Sequence, residues 1–387
     1  MVEWKKLGEV CEKTSNIKWK DQTDDKIYKY IDLSSVSLDS HKVIITTDIC
    51  KQNAPSRAQQ VVCANDILLG TTRPTLKRYC QIPSYLDKNI CSTGFCIFRA
   101  NKEYVLSRWL FHNIGSSKFW DYCELKQQGA GYPCLSNSDA FAYIIPTPSL
   151  SEQQRIVDIL DTFTSSIDNL KQKITQRRKQ FEYYREQLLD LEGKEGVEMK
   201  TLGEIGEFIR GNGIQKNDFV EEGFGCIHYG QIHARYGFSA EETISKIKES
   251  LYKKCKKAQK GDVVLATTSE DAEGVAKPFV WLGDEKVAVS GDAFIYHHNQ
   301  NGKFMGNQFL THKFMLFKVK NATGAKVVRI SGENMAKFEV ALPSIEKQNE
   351  IVDILDKFEA SIQNLGFQLS QREKQYEYYR NKLLTFD

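Results

Sequence analysis

The sequence lacks any apolar run able to enter a bilayer: stretches such as Phe141 to Ile145 are five residues long, where a spanning helix needs roughly 20. Its amino terminus, MVEWKKLGEV, has no apolar core of the kind a signal peptide carries. Ten cysteines are scattered with no Cys-x-x-Cys, so they read as free thiols in a reducing cytoplasm. No G-x-x-x-x-G-K-[ST] loop is present, which speaks against an ATP-driven motor, and H-E-x-x-H, G-x-S-x-G and the protein-kinase set are missing too. GEIGEFIRGNG (203–213) has glycines without dinucleotide spacing and reads as a turn. The nearest approaches to a metal motif, His228 with His233 and Cys80 with Cys91 and Cys96, lack the spacing of structural zinc. A large charge of one sign is absent as well. The formal net charge is +3, which neither demands nor excludes nucleic acid.

What the chain does have is itself, twice. FEYYREQLL (181–189) returns 195 residues later as YEYYRNKLL (376–384), and PSLSEQQRIVDIL (148–160) returns as PSIEKQNEIVDIL (343–355). Without a gap, 24 of the 42 positions in 148–189 and 343–384 are identical. VEWKKLGEV (2–10) overlies VEMKTLGEI (197–205) at the same offset, and NDILLGTT (65–72) overlies GDVVLATT (261–268) at 196. The order is therefore body, helix, body, helix, with boundaries expected at 1–147, 148–192, 193–342 and 343–387. Residues 1–147 hold 19 basic and 15 acidic residues, a net of +4, whereas 148–191 hold 7 of each and 343–387 hold 6 and 8.

Each helical copy has apolar residues spaced four and three apart. The first seam is Ile156, Leu160, Phe163, Ile167, Leu170, Ile174, Arg177, Phe181, Tyr184, Leu188 and Leu191. The second is Ile351, Leu355, Phe358, Ile362, Leu365, Leu369, Arg372, Tyr376, Tyr379, Leu383 and Phe386. This is coiled-coil spacing, and the lone polar member, arginine in both, is a candidate register residue. Pro148 and Pro343 suit positions just before a helix, with Ser149, Ser344 or Ser151 as caps. About 40 residues give a rod of roughly 60 Å. Such a helix needs a partner, and the other copy, running antiparallel, is the nearest; Tyr184 and Tyr379 are then mostly core, with Tyr183 and Tyr378 flanking.

Both bodies read as mixed α/β or mostly β. Strands are expected at Lys29–Leu33, Asp66–Thr72, Thr93–Ala100, Asp262–Thr268 and His312–Val319, with a helix over Lys102–Ile114. Between them lie polar, glycine-rich turns holding Arg57, Arg73, Lys77 and Arg78 in the first body and Arg210, Lys216, Arg235, Lys326 and Arg329 in the second. Arginine and lysine beside Asn, Gln, Ser and Thr suit base edges and phosphates, and equally suit a solvated face.

The layout resembles the specificity subunit of a type I restriction–modification system. The carrying features are the repeated PSLSEQQRIVDIL and PSIEKQNEIVDIL, then NAPSRAQ (53–59), TTRPTLK (71–77) and YPCLSNSD (132–139) in the first body. RGNGIQKNDF (210–219), IHYGQI (227–232), ATTSED (266–271), AVSGDAFIY (288–296) and ATGAKVVRISG (322–332) carry it in the second. The resemblance spans essentially the whole chain. It implies a non-catalytic DNA-binding subunit with two similar target-recognition domains at opposite ends of an antiparallel two-helix coiled coil, a pseudo-twofold repeat. Each domain would read half of a bipartite, asymmetric double-stranded DNA target. Two modification subunits would bring S-adenosylmethionine-dependent adenine methylation, and restriction subunits ATP- and Mg-dependent translocation and cleavage; no cofactor or metal is implied for this chain, nor any membrane partner. Eight of the ten cysteines lie in the first body. The rival readings are a protein-only scaffold, which would bind no DNA, and a self-sufficient enzyme, which would turn over alone.

The seam makes one expectation measurable. Deleting seven residues from a rod keeps its apolar positions in phase, so the gap between the two DNA half-sites should change while both half-sites stay as they were. Methylation mapping reads this directly, and an unchanged gap would contradict the spacer role.

Overall fold

The computed structural model describes residues 2–269, 271, 273–324 and 328–386. They form two compact units, Met1–Lys173 with Leu365–Asp387, and Ile174–Asn364. Two long helices, Leu150–Leu189 and Ile345–Leu383, each contribute one half to each unit, so a unit is a body plus two helix halves.

The first body has two four-stranded sheets. One runs in the order Cys11–Glu12, Phe95–Ala100, Ile67–Gly70, Tyr79–Gln81, antiparallel throughout. The other runs Thr47–Ile49, Tyr28–Ile31, Ile90–Ser92, Ala58–Val61, with its middle pair parallel. The second body repeats both orders with one strand more in each. Its first sheet is Gly206–Arg210, Ala293–His298, Val263–Ala266, Lys277–Trp281, Ser239–Ala240. Its second is Phe219–Val220, Ser245–Ile247, Phe224–Ile227, Val287–Val289, Lys257–Ala258, again with a parallel pair, 224–227 on 287–289. The stretches aligned at offset 196, Ile67–Gly70 and Val263–Ala266, are buried at every residue, which is why they read as unbroken apolar runs rather than alternating ones.

The repeated helix start has a physical reason. Gln153 is fully buried; its Nε2 donates to the Pro148 and Tyr104 carbonyls at 3.0 and 2.8 Å, and its Oε1 accepts from Leu106 N at 3.0 Å. Gln348, also fully buried, repeats this with the Pro343 carbonyl at 3.0 Å and Asn301 N at 3.1 Å. Each glutamine satisfies backbone groups of the body that would otherwise be orphaned, and so fixes the angle at which its helix leaves. Ser149 and Ser344 cap the first turns, accepting from Glu152 N and Lys347 N.

In the first unit the helix halves run antiparallel: the Phe163 and Tyr379 rings stack at 5.4 Å, Lys171 pairs with Glu373 at 3.4 Å, and Ile156 shares a core with Leu384. In the second, Tyr184 stacks on Phe358 at 5.2 Å, and Leu189 and Leu191 share a core with Ile351 and Leu355, again antiparallel. Arg372 lies 5.6 Å over Phe163 and Arg177 lies 5.7 Å over Phe358. The one polar seam position thus makes the same cation–π contact in each unit. The seam is deepest where it meets a body, at Ile156, Leu160, Ile351 and Leu355. Phe163 and Phe358 are half-buried, so truncating either should cost less than the roughly 3–5 kcal/mol of a closed core. Tyr184 and Tyr379 are on the seam but 45% and 41% exposed, a correction to their expected place in the core; two helices alone have too little surface to cover their rings.

Three local expectations change. His312–Asn321 is a helix, not a strand: Thr311 accepts from Phe314 N as its cap, and Phe314 and Lys318, four apart, turn inward. The helix expected over 102–114 begins later, at Ser107. GEIGEFIRGNG is a short helix, Leu202–Ile205, running into the strand Gly206–Arg210.

Where the first body meets its helix halves, the buried His112 bridges both. Its Nε2 donates to Asp161 at 2.8 Å and its Nδ1 accepts from the Tyr376 hydroxyl at 2.9 Å; Arg108 holds the same carboxylate. Burial lowers the His112 pKa from 6.5 to about 4, against the opposing pull of Asp161. Burial alone would raise the Asp161 pKa; hydrogen bonds from His112 and Arg108 outweigh it and bring the value to about 2. His112 is thus neutral when folded, and its contribution is whole above pH 6.5 and lost as pH falls toward 4. Replacing it with Asn, the residue at the corresponding position 307 of the second body, should flatten the fall in unfolding free energy across that window by on the order of 2 kcal/mol. Urea melts at pH 7.5 and pH 4.5 check this; an unchanged slope would show that His112 does not titrate on unfolding.

Candidate nucleic-acid interface

In the first body, four segments meet at one end of the central strand Ile67–Gly70. Thr71 follows that strand and donates both its N–H and its hydroxyl to the Gly94 carbonyl at 2.9 Å. Thr93 N donates to the Arg57 carbonyl at 2.9 Å, bringing in the start of Ala58–Val61. Leu135 N donates to the Thr71 carbonyl at 2.9 Å and Arg73 N to the Pro133 carbonyl at 2.7 Å, binding 128–136 to 71–78. Arg57, Arg73 and Lys77 are exposed on this end, and no hydrogen bond reaches their charged groups among the described residues. Arg78 is different. Its Nη1 donates to the Leu33 carbonyl and, at 2.7 Å, to the Val36 carbonyl, so it braces the two sheets instead of facing outward.

The second body builds the same end from other side chains. Thr267 N donates to the Asp292 carbonyl at 3.1 Å, Ser290 N to the Ile227 carbonyl at 3.0 Å, and Asn212 N to the Val289 carbonyl at 2.9 Å. Arg210 is exposed, with Nε engaged by the Gly291 carbonyl at 3.0 Å. Lys216, Arg235 and Arg329 are exposed and carry no side-chain hydrogen bond among the described residues. Lys216 is close enough that its charge adds to burial in lowering the His228 pKa. Lys326 lies outside the described residues.

The two frames share a threonine bonded to the neighbouring strand's loop, Thr71 to Gly94 and Thr267 to Asp292, and one backbone bridge. Cys134 bridges Thr72 and Gln128 in the first body, and Arg329 bridges Thr268 and Thr323 in the second. The backbone arrangement is shared while the side chain at the bridge changes from thiol to guanidinium. Two groups escaped the sequence reading. Tyr132 is 71% exposed beneath the Arg73 guanidinium, 4.6 Å from its ring centroid; only the loop pairing reveals that contact. Lys256 is exposed beside Asn212, and its carbonyl accepts from Val289 N at 3.1 Å; the lysine run YKKCKKAQK (252–260) was the available signal. No group of three or more His, Cys, Asp or Glu among the described residues is placed to hold a metal.

The chain as a whole is similar to known proteins. The family described as the type I restriction modification DNA specificity domain matches the chain twice, over residues 1–177 and 194–372. The EcoR124I/EcoR124II specificity subunit of Escherichia coli is 31% identical over 262 residues, 66% of this chain and 62% of that protein. A putative type I restriction enzyme specificity subunit of Haemophilus influenzae is 28% identical over 298 residues, 74% of each. The match thus spans about three-fifths of the first relative's length. Two solved structures share the fold. One, from work on assembly and conformational transition of a type I restriction–modification system, has a TM-score of 0.67 at 23% identity, covering 100% of this chain and 98% of its own. The other, a type I system S subunit from Mycoplasma genitalium, has a TM-score of 0.53 at 15% identity, covering 100% and 97%.

The two kinds of basic residue separate by stability. Arg78→Ala leaves two inner carbonyls without their charged donor and should cost roughly 1.5–3 kcal/mol. Alanine at Arg57, Lys77, Arg235 or Arg329 should stay within about 0.5 kcal/mol of the parent. Denaturant melts of the five variants decide it, and equal losses would contradict the division.

Proposed function

The chain belongs to the type I restriction–modification DNA specificity family, and on that premise we propose that it is a specificity subunit whose two bodies each read one half of a split, asymmetric double-stranded DNA sequence. Specificity subunits of these systems are non-catalytic. The carrying observation is that the second body repeats the strand orders of the first with one strand more in each sheet, and that both offer exposed arginine and lysine with no side-chain hydrogen bond among the described residues near the loops that follow the same central strand. Side chains of that kind contact phosphates and base edges. Because the frames agree and the side chains do not, the two half-sites differ and the target is not palindromic.

The repeated helices suit a spacer. A 40-residue helix is about 60 Å long, against the roughly 34 Å turn of B-DNA, so the half-sites are separated by a gap. Methylation, translocation and cleavage belong to partners: two modification subunits with S-adenosylmethionine, and restriction subunits with ATP and Mg. The exposed pairs Tyr183–Tyr184 and Tyr378–Tyr379 lie on the repeated helices and suit protein contact, since aromatic side chains supply large contact area at low entropic cost. No helix among the described residues is long and apolar enough to cross a membrane, and the cytoplasm, where the DNA is, is the proposed location.

Exchanging residues 206–340 for the equivalent body of a relative should change one half of the methylated sequence and leave the other half and the gap alone. Methylation mapping of cells carrying the chimera with its modification subunits reads all three. A change in both halves would contradict independent reading.

A further inference from the structure

We infer that Arg73 determines specificity by reading a G·C pair in the half-site of the first body, and that Tyr132 is the positioning residue that aims it. This deepens the DNA-reading function proposed above and rests on it.

Arg73 is held at its backbone. It sits in the left-handed region at φ +50°, as does Lys77 at φ +52°, and between them they bound the short turn Pro74–Leu76. A non-glycine residue stays in that region where its surroundings over-determine it. Here Arg73 N donates to the Pro133 carbonyl at 2.7 Å, and its own carbonyl accepts from Leu76 N at 2.9 Å. Across the loop, Gln128 and Cys134 exchange backbone hydrogen bonds at 2.9 and 2.8 Å.

The side chain is held too. The guanidinium stands 4.6 Å from the centroid of the Tyr132 ring, and the ring is mostly exposed. A guanidinium over an aromatic face is attracted to the ring, which limits where the side chain can go and leaves its N–H donors free for another partner. The other arginines differ. Arg78 is engaged by the Leu33 and Val36 carbonyls, and Arg210 by that of Gly291. Arg57, Arg235 and Arg329 have neither a ring nor an acceptor holding them among the described residues. Among the described residues of the candidate surface, Arg73 alone is both positioned and unengaged.

A guanidinium with its N–H donors free matches the O6 and N7 acceptors of guanine in the major groove, the commonest specific contact to a base. Lysine brings the same charge without the two parallel donors. Arg57 and Lys77, exposed on the same end of the body with no hydrogen bond to their charged groups among the described residues, suit phosphates on either side, where a point charge suffices.

The test uses the complete complex with its modification subunits. Methylation mapping first gives the target, and the exchange of residues 206–340 shows which half belongs to the first body. Binding is then measured on short duplexes carrying each single base-pair change in that half, for the parent, Arg73→Lys, Tyr132→Phe and Tyr132→Ala. Arg73→Lys should lower discrimination at one G·C pair about tenfold or more and leave every other position as it was. Tyr132→Phe keeps the ring and should match the parent, whereas Tyr132→Ala should lower discrimination at that same pair. Melting curves like the parent's confirm that the variants are folded. Equal weakening on all duplexes by Arg73→Lys would mark a phosphate contact and overturn the inference. So would a discriminated pair other than G·C, or a Tyr132→Ala profile equal to the parent's. A parent complex with no sequence preference would instead overturn the DNA-reading function, and this inference with it.

Discussion

Each long helix carries a row of apolar and aromatic side chains that water does not tolerate bare, and in each unit half of one helix meets half of the other to cover it. The pairing is antiparallel in both units, and both use the same contacts: a phenylalanine stacked on a tyrosine, with an arginine over the phenylalanine face. Covering is incomplete, since the tyrosines of those stacks remain partly exposed. It becomes complete only where a body closes over the helix ends, around Ile156 and Leu160 in one unit and Ile351 and Leu355 in the other. The helices therefore depend on the bodies as much as the bodies depend on them. Gln153 and Gln348 join the two by satisfying backbone groups that neither part satisfies alone.

That dependence explains which residues repeat and which do not. A seam residue, a junction glutamine or a central strand answers to packing inside its own unit, and the same geometry imposes the same chemistry twice. The loop ends beyond the central strands carry the exposed basic residues to which we assign DNA reading. There a backbone bridge repeats while its side chain differs: Cys134 in one body stands where Arg329 stands in the other. Constant frame and variable surface are what a reader of two unlike DNA half-sites needs.

Much of the frame was legible in the sequence. The two-copy order, the seam, its lone arginine and the central strands at offset 196 all follow from periodicity, because burial at fixed spacing leaves a pattern in residue type. His312–Asn321 misled because Phe314–Phe317 is a short continuous apolar run, which suits a buried strand as well as a helix; the Thr311 cap and the inward-facing Phe314 and Lys318 decide for helix. The candidate surface was legible only in kind. Arg57, Arg73 and Arg78 look alike as residues in polar turns, yet among the described residues one has no side-chain partner, one lies over a tyrosine ring and one braces two carbonyls. Those fates depend on Tyr132, Leu33 and Val36, which lie roughly 40 to 60 residues away along the chain, and no local pattern encodes such a meeting.

The central claim is that two bodies of one fold read two different half-sequences. Methylation mapping of genomic DNA from cells carrying this chain with its modification subunits, and from the same cells with the gene deleted, tests it most directly. The account predicts one split, asymmetric motif, methylated in the first sample and unmethylated in the second. A continuous motif, a palindromic one, or a pattern that survives the deletion would contradict it.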